Sequence, residues 1–307
     1  MTLGLMNCLK KILGMLGMSM KRETALKNAP DNSTGATRVL QPAYTVRLKP
    51  GPEEPASAEA AVNQDKRLPL AWHGLSDKGV VRGHNEDSFS HADLGKNYLF
   101  VVADGMGGHD AGEVASKLAV ETVMNQICAG AKQEGDPQKL IKEAVQRANK
   151  KVKQEGANRG SDMGTTLNAA FVAGDTAYVA NVGDSRTYWI ENGTIAQITE
   201  DHSLVAKLVQ AGKLTREDAR NHPRANLLYR TIGNEDTVKV DTFQVPLKKG
   251  GSLLLCTDGL WGEVTDEEIH AIVKGESNAA NACARLIKAA NKNGGKDNIT
   301  AIVVNIL

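Results

Sequence analysis

The chain has 307 residues, 41% of them hydrophobic and 24% charged, with a formal net charge of +1. That balance supplies ample apolar material for a globular core and gives no general argument for nucleic-acid or membrane binding. Its four cysteines, Cys8, Cys128, Cys256 and Cys283, have neither paired nor C-x-x-C spacing, which argues against a disulfide framework or a zinc site and favours a reducing, cytoplasmic setting.

Residues 3 to 18 are apolar but too short to span a bilayer, and Lys10-Lys11 interrupts them, so no transmembrane segment is expected. Leu5, Leu9, Ile12, Leu13 and Leu16 would share one face of a short helix. That leaves two readings open: peripheral contact with a membrane surface or partner, or a weakly ordered tail. From Lys21 to Asp65 the chain holds Pro30, Pro42, Pro50, Pro52 and Pro55, five of its nine prolines, and reads as a disordered linker. Within it, Gly35 to Pro42 resembles the threonine segments that bacterial Ser/Thr kinases phosphorylate and forkhead-associated domains bind. Phosphorylated Thr37 would recruit such a domain through its added charge; an ordinary linker threonine is the other reading. Residues 1–66 are thus expected to be a tail and residues 67–307 the folded, catalytic domain. The tail carries nine Lys/Arg against six Asp/Glu, which leaves the folded part slightly acidic.

Ala71 to Asp77 reads as an edge strand. It leads into Gly79-Val80-Val81-Arg82-Gly83-His84-Asn85-Glu86-Asp87, where a guanidinium able to hold two phosphate oxygens stands near acidic groups. A surface arginine paired with Glu86 or Asp87 fits the same letters. Next, the apolar run from Tyr98 to Ala103 ends abruptly in Asp104-Gly105-Met106-Gly107-Gly108-His109, a strand closing on a carboxylate and a glycine-rich turn. Leu253 to Cys256, followed by Thr257-Asp258-Gly259, repeats the design. Asp297 sits just before the last apolar strand, Ile299 to Leu307. Any one Asp-Gly after a strand reads equally as an ordinary turn. Three carboxylates brought together would repel unless cations neutralise them, and oxygen-only ligands favour magnesium or manganese over zinc.

Between these segments lie elements of packing. Ala111 to Leu118 opens an amphipathic helix with Val114, Leu118, Val123 or Met124, and Ile127 expected toward the core. Asp136-Pro137 caps a second, whose Ile141, Val145, Ala148 and Val152 repeat at helical spacing. Ser161 to Leu167 returns to strand. Turns at Gly174-Asp175, Gly183-Asp184 and Asn192-Gly193 then separate runs rich in Val, Ala, Tyr and Thr, which makes the sheet antiparallel and excludes a doubly wound nucleotide-binding fold. Residues 200 to 230 read as an insertion with its own helix and a start signal at Thr215. Arg, His and Asn crowd its second half, which fits either a substrate-facing flap or a solvated loop. Thr265-Asp266-Glu267-Glu268 is a capping box, and a last helix is expected from about Ala279 to Asn291.

Taken in chain order, these pieces resemble the metal-dependent Ser/Thr protein phosphatases of type 2C, the PPM-type enzymes, especially their compact bacterial members. The resemblance rests on Ser76-Asp77 with Arg82 to Asp87, Asp104 to His109, Met163 to Thr166, Asn181 to Arg186, Thr199 to Ser203, Asp258-Gly259 and Gly295 to Asn298. It implies an α+β fold, a central sandwich of two antiparallel sheets flanked by helix pairs in α-β-β-α layers. It further implies two Mn²⁺ or Mg²⁺ ions bridged by Asp104, with Asp258, Asp297 and the Gly105 carbonyl as ligands. Glu86 and Asp87 would act through metal-bound waters, Arg82 would bind substrate phosphate, Asp162 would serve a possible third ion, and His109 falls near the proposed general acid. The implied reaction is hydrolysis of phosphoserine and phosphothreonine in proteins by a two-metal-activated water, opposing a cognate Ser/Thr kinase. A silent binding module would be expected to lose metal ligands, and a two-metal nuclease to show a basic groove; neither expectation matches this chain.

Overall fold

The structure is a computed structural model that describes residues 67–108, 110–130, 135–191, 193–220 and 222–307. The expectations for residues 1–66, including the stretch at 3–18 and Thr37, lie outside the described residues.

Two antiparallel sheets form the centre. The first has the order β1 (Leu70–Asp77), β11 (Ile299–Ile306), β10 (Ser252–Cys256), β7 (Arg186–Glu191) and β8 (Thr194–Gln197). The second runs β2 (Asp87–Asp93), β3 (Tyr98–Met106), β5 (Leu167–Ala173), β6 (Thr176–Val182) and β9 (Asp241–Pro246), with the two-residue β4 (Gly164–Thr165) paired to the end of β3. Strands β3, β5, β10 and β11 are buried along nearly their whole length, because both of their faces are covered. Hence their sequences read as continuous apolar runs rather than alternating ones.

Alternate residues of those strands feed three cores. Tyr98, Phe100, Val102, Leu253, Leu255, Ile302 and Val304 interdigitate between the sheets. Leu99, Val101 and Ala103 face the opposite way, onto α1 (Ala111–Gly130) and α2 (Pro137–Arg159). Leu254, Cys256, Ala301 and Val303 face α6 (Asp266–Gly275) and α7 (Ala279–Asn293). The layers are therefore α-β-β-α. The caps appear where the sequence places them: Asp136 accepts from Gln138 N, and Thr265 with Glu268 forms a complete capping box.

Three local readings change. The fully buried face of α1 is Ala111, Ala115, Ala119, Val123 and Ile127, with Val114 and Leu118 only partly covered; small side chains let the helix lie close on β3. Strand β3 does not stop at Ala103 but continues to Met106, because Gly105 and Met106 pair with Thr165 and Gly164. Asp258 opens a one-turn helix, α5 (Asp258–Trp261), instead of a simple turn. The segment from 200 to 230 holds two short helices, α3 (Leu204–Gln210) and α4 (Arg216–Arg220). No helix among the described residues is long and apolar enough to cross a membrane.

Candidate active site

The ends of β3, β10 and β11 converge with the β1–β2 loop on a cavity of about 220 Å³. Its walls include Arg82, Glu86, Asp104, Gly105, Asp184, Asp258 and Asp297, with Asn226 and Leu228 contributed by the 200–230 segment. Of the carboxylates expected from the sequence, Glu86, Asp104, Asp258 and Asp297 thus share one space. Asp87 lies directly opposite Asp104 in the β2–β3 pairing, with its side chain buried; it is not part of this cavity's wall and lines a separate pocket with Ser76, Asn85 and Ser88. Asp162 is exposed and is not part of the cavity wall, and His109 lies outside the described residues.

Backbone clamps hold each carboxylate. Asp104 N donates to Thr166 Oγ1 at 2.9 Å, Thr165 Oγ1 donates to Asp104 O at 2.8 Å, and Thr166 N donates to the same carbonyl at 2.8 Å. This is what the Gly164-Thr165-Thr166 motif accomplishes. Gly105 and Gly112 cross so closely that a Cβ on Gly105 would stand 2.0 Å from Gly112 O. Side chains at either position would push α1 off the strand. Glu86 passes over Gly112 in the first turn of α1, where helix amides favour a carboxylate. A Cβ on Gly259 would meet Asn298 O at 2.1 Å, so the Asp258 turn packs bare against the Asp297 loop.

Asn298 ties the site together. Its Oδ1 accepts from Glu86 N at 2.8 Å, while its Nδ2 donates to Lys78 O at 2.9 Å and His84 O at 2.8 Å. The loop bearing Arg82 and Glu86 is thereby fixed to the strand end bearing Asp297. Arg82 Nη2 donates to Asp297 Oδ2 at 2.7 Å, so the arginine pairs with neither Glu86 nor Asp87.

The electrostatics are those of crowded negative charge. Enclosure by protein, followed by the fields of Asp258, Asp87, Asp184 and Asp297, holds the Asp104 carboxyl well above the usual carboxylate range. Burial and then Asp297 push Asp258 up to about 6, although a hydrogen bond with Asp104 opposes the shift. Burial pushes Asp87 up to about 7 against the hydroxyls of Thr300 and Thr257, which both donate to its Oδ2. Asp184, 3% exposed, is raised by burial and by Asp258. Two carboxyls as close as Asp104 and Asp258 share either a proton or a cation.

These donors fit hard divalent cations. Every candidate ligand is oxygen, and buried Asp258 Oδ1 and Asp87 Oδ1 have no hydrogen-bond partner. Among the described residues, no three His, Cys, Asp or Glu side chains close into a metal cluster on their own. Magnesium and manganese need no such cage: one or two carboxylates, with water and substrate phosphate completing the shell, are the usual arrangement.

Sequence reasoning gave no role to Asp184 or Asn298. The first looked like a turn residue after Gly183, and only the three-dimensional packing buries it. The second stood beside Asp297 in a quoted motif, but a side chain that bonds three backbone groups leaves no pattern in one sequence.

A double antiparallel sandwich with an acidic, arginine-edged cavity at the strand ends defines a cation-assisted phosphate hydrolase as its class. The family model for protein phosphatase 2C matches residues 81–303, and the chain belongs to that family of Ser/Thr protein phosphatases. Serine/threonine phosphatase stp of Listeria welshimeri is 41% identical over 236 residues, covering 75% of this chain and 93% of the relative. The crystal structure of the Mycobacterium tuberculosis serine/threonine phosphatase PstP/Ppp superposes with a TM-score of 0.71 at 35% identity, covering 77% of this chain and 98% of that one. The catalytic domain of PstP in complex with two manganese ions gives 0.69 at 34% identity, over 78% and 98%.

Proposed function

We propose that Asp104, Asp258, Asp297 and the Gly105 carbonyl hold two Mn²⁺ or Mg²⁺ ions for the hydrolysis of phosphoserine and phosphothreonine in proteins, with Glu86 and Asp87 ordering water around them. The observation that carries this reading is the convergence of Arg82 with Glu86, Asp104, Asp258 and Asp297 on one cavity, where Asp258 keeps an unpartnered buried oxygen. When bound, such ions supply positive charge for phosphoryl oxygens and acidify water so that it attacks phosphorus in line.

The protein groups do the rest. Arg82 has 47% of its side chain exposed, and Asp297 engages Nη2 alone, so the remainder of the fork is available for two phosphate oxygens. Asn298 keeps that fork beside Glu86. Arg82→Ala is expected to lower kcat/KM for a phosphothreonine peptide by about 10- to 100-fold, mostly through KM, as loss of a charged hydrogen-bond donor implies. Steady-state kinetics would check this; an unchanged KM would remove Arg82 from phosphate binding.

Residues 67–307 form the catalytic unit in this reading, with residues 1–66 as its tail. The reaction that must supply its substrate is phosphate transfer to Ser and Thr hydroxyls, so a Ser/Thr kinase stands opposite it. Buried free thiols at Cys256 and Cys283 support a reducing, cytoplasmic location. Phosphate release from a phosphothreonine peptide by the full chain, with Mn²⁺ and with a chelator, tests the chemistry. Turnover is expected only with the metal. Equal turnover in chelator would overturn the ligand assignment.

A further inference from the structure

Large apolar side chains are rarely exposed among the described residues. The exposed ones among them are Val80, Val81, Leu227, Tyr229 and Leu307. Leu307 is the last residue. The other four are chain neighbours of residues that line the catalytic cavity: Val80 and Val81 immediately precede Arg82, while Leu227 and Tyr229 bracket Leu228, and both Arg82 and Leu228 line the cavity.

Val80 and Val81 are 69% and 68% exposed, in a turn where β-branched apolar residues have no conformational advantage. The turn is nevertheless built firmly. Val80 N and Val81 N both donate to Gly295 O, at 2.8 and 3.2 Å. Gly79 has φ +79°, and a Cβ there would stand 2.2 Å from Asp297 O. The backbone is thus pinned against the loop that carries Asp297, and the two isopropyl groups are left to water beside the phosphate-binding arginine. In the segment that contributes Leu228 to the cavity wall, Leu204 N donates to Leu227 O and Tyr229 N to His202 O, so residues 227–229 are also held rather than loose. Two fixed apolar lips continuous with a charged cavity match one kind of ligand: a phosphate with apolar groups on either side.

We propose that Val80 and Val81 on one lip and Leu227 on the other seat apolar residues flanking the phosphorylated residue of the substrate. The enzyme then prefers phosphopeptides with apolar neighbours over those with small polar ones. This rests on the phosphatase reading above and adds the substrate class to it.

The full chain with Mn²⁺ is to be assayed on three substrates: a phosphothreonine peptide flanked by Leu and Val, the same peptide flanked by Gly and Ser, and p-nitrophenyl phosphate. A preference of about 10-fold in kcat/KM for the apolar peptide is expected, of the size a few buried methyl groups confer. The double variant Val80→Ser/Val81→Ser should bring the two peptides to within about twofold and leave p-nitrophenyl phosphate unchanged. Leu227→Ser should weaken the preference independently. Absence of a preference in the wild type, its survival in both variants, or an equal loss on all three substrates would overturn the proposal. No hydrolysis of any of the three would remove the phosphatase reading itself, and the rim with it.

Discussion

Asp104→Asn is expected to lower phosphate release by about three orders of magnitude or more, while the metal-free protein becomes no less stable than wild type. The two halves of this expectation have one cause. Asp104 faces Asp258, Asp87, Asp184 and Asp297, and enclosure together with their fields raises its pKa. A carboxyl whose folded pKa lies above its unfolded value opposes folding at neutral pH, so an isosteric amide relieves the folded state of repulsion. The same substitution removes the charge that would bridge two cations. Melting temperature with and without Mn²⁺ separates the effects: wild type should gain stability from the metal and the variant should gain far less. A variant retaining full activity would show that the cations, if bound, do not depend on Asp104.

Such a division of roles was partly legible before any coordinates. Asp104 and Asp258 stand out because an apolar strand that ends in a carboxylate and glycine is a local pattern that occurs twice, and Asp297 stands out because it immediately precedes the last apolar strand. The antiparallel pairing was likewise readable, since the hairpin turns carry glycine with positive φ, as at Gly174 and Gly193, whereas the α-β-β-α layering followed from the family resemblance alone. What stayed hidden depends on contacts between distant segments. The continuation of β3 through Asp104 to Met106 requires β4, which at two residues is too short to show periodicity. Val123 and Ile127 of α1 are buried and Val114 and Leu118 pack against the same core, but the innermost positions at Ala111, Ala115 and Ala119 do not stand out in the sequence, because closeness to β3 selects small side chains there. Asp184 looked like a turn because nothing near it in sequence announces that Trp261 Nε1 will donate to its carbonyl at 3.0 Å.

Arg186 carries that last contact into stability, and Arg186→Ala is expected to cost about 3–5 kcal/mol of unfolding free energy, the range for stripping one partner from a buried ion pair. The guanidinium lies at the start of β7, opposite Cys256 of β10. Its Nε and Nη2 donate to Asp201 at 3.0 and 2.7 Å, and its Nη1 donates to Tyr188 Oη at 2.8 Å. Trp261 stacks beneath it with the ring centroid 3.5 Å from Cζ. Burial works against the charge, yet Asp201 and the Tyr188 hydroxyl keep the guanidinium firmly protonated. With only 13% and 9% of the paired side chains exposed, neither charge has water to fall back on. Removal of the arginine leaves Asp201 uncompensated and takes away the plate against which Trp261, the last residue of the Asp258 helix, is packed. Arg186→Lys keeps the charge without the fork or the stack and should fall between wild type and alanine. Replacing both partners with apolar residues, Arg186→Met with Asp201→Leu, should recover much of the loss, because no charge is then left buried. Urea unfolding of the four proteins measures the series. An alanine variant within about 1 kcal/mol of wild type would mean that water reaches Asp201 and that the Asp258 helix is held by its apolar contacts alone.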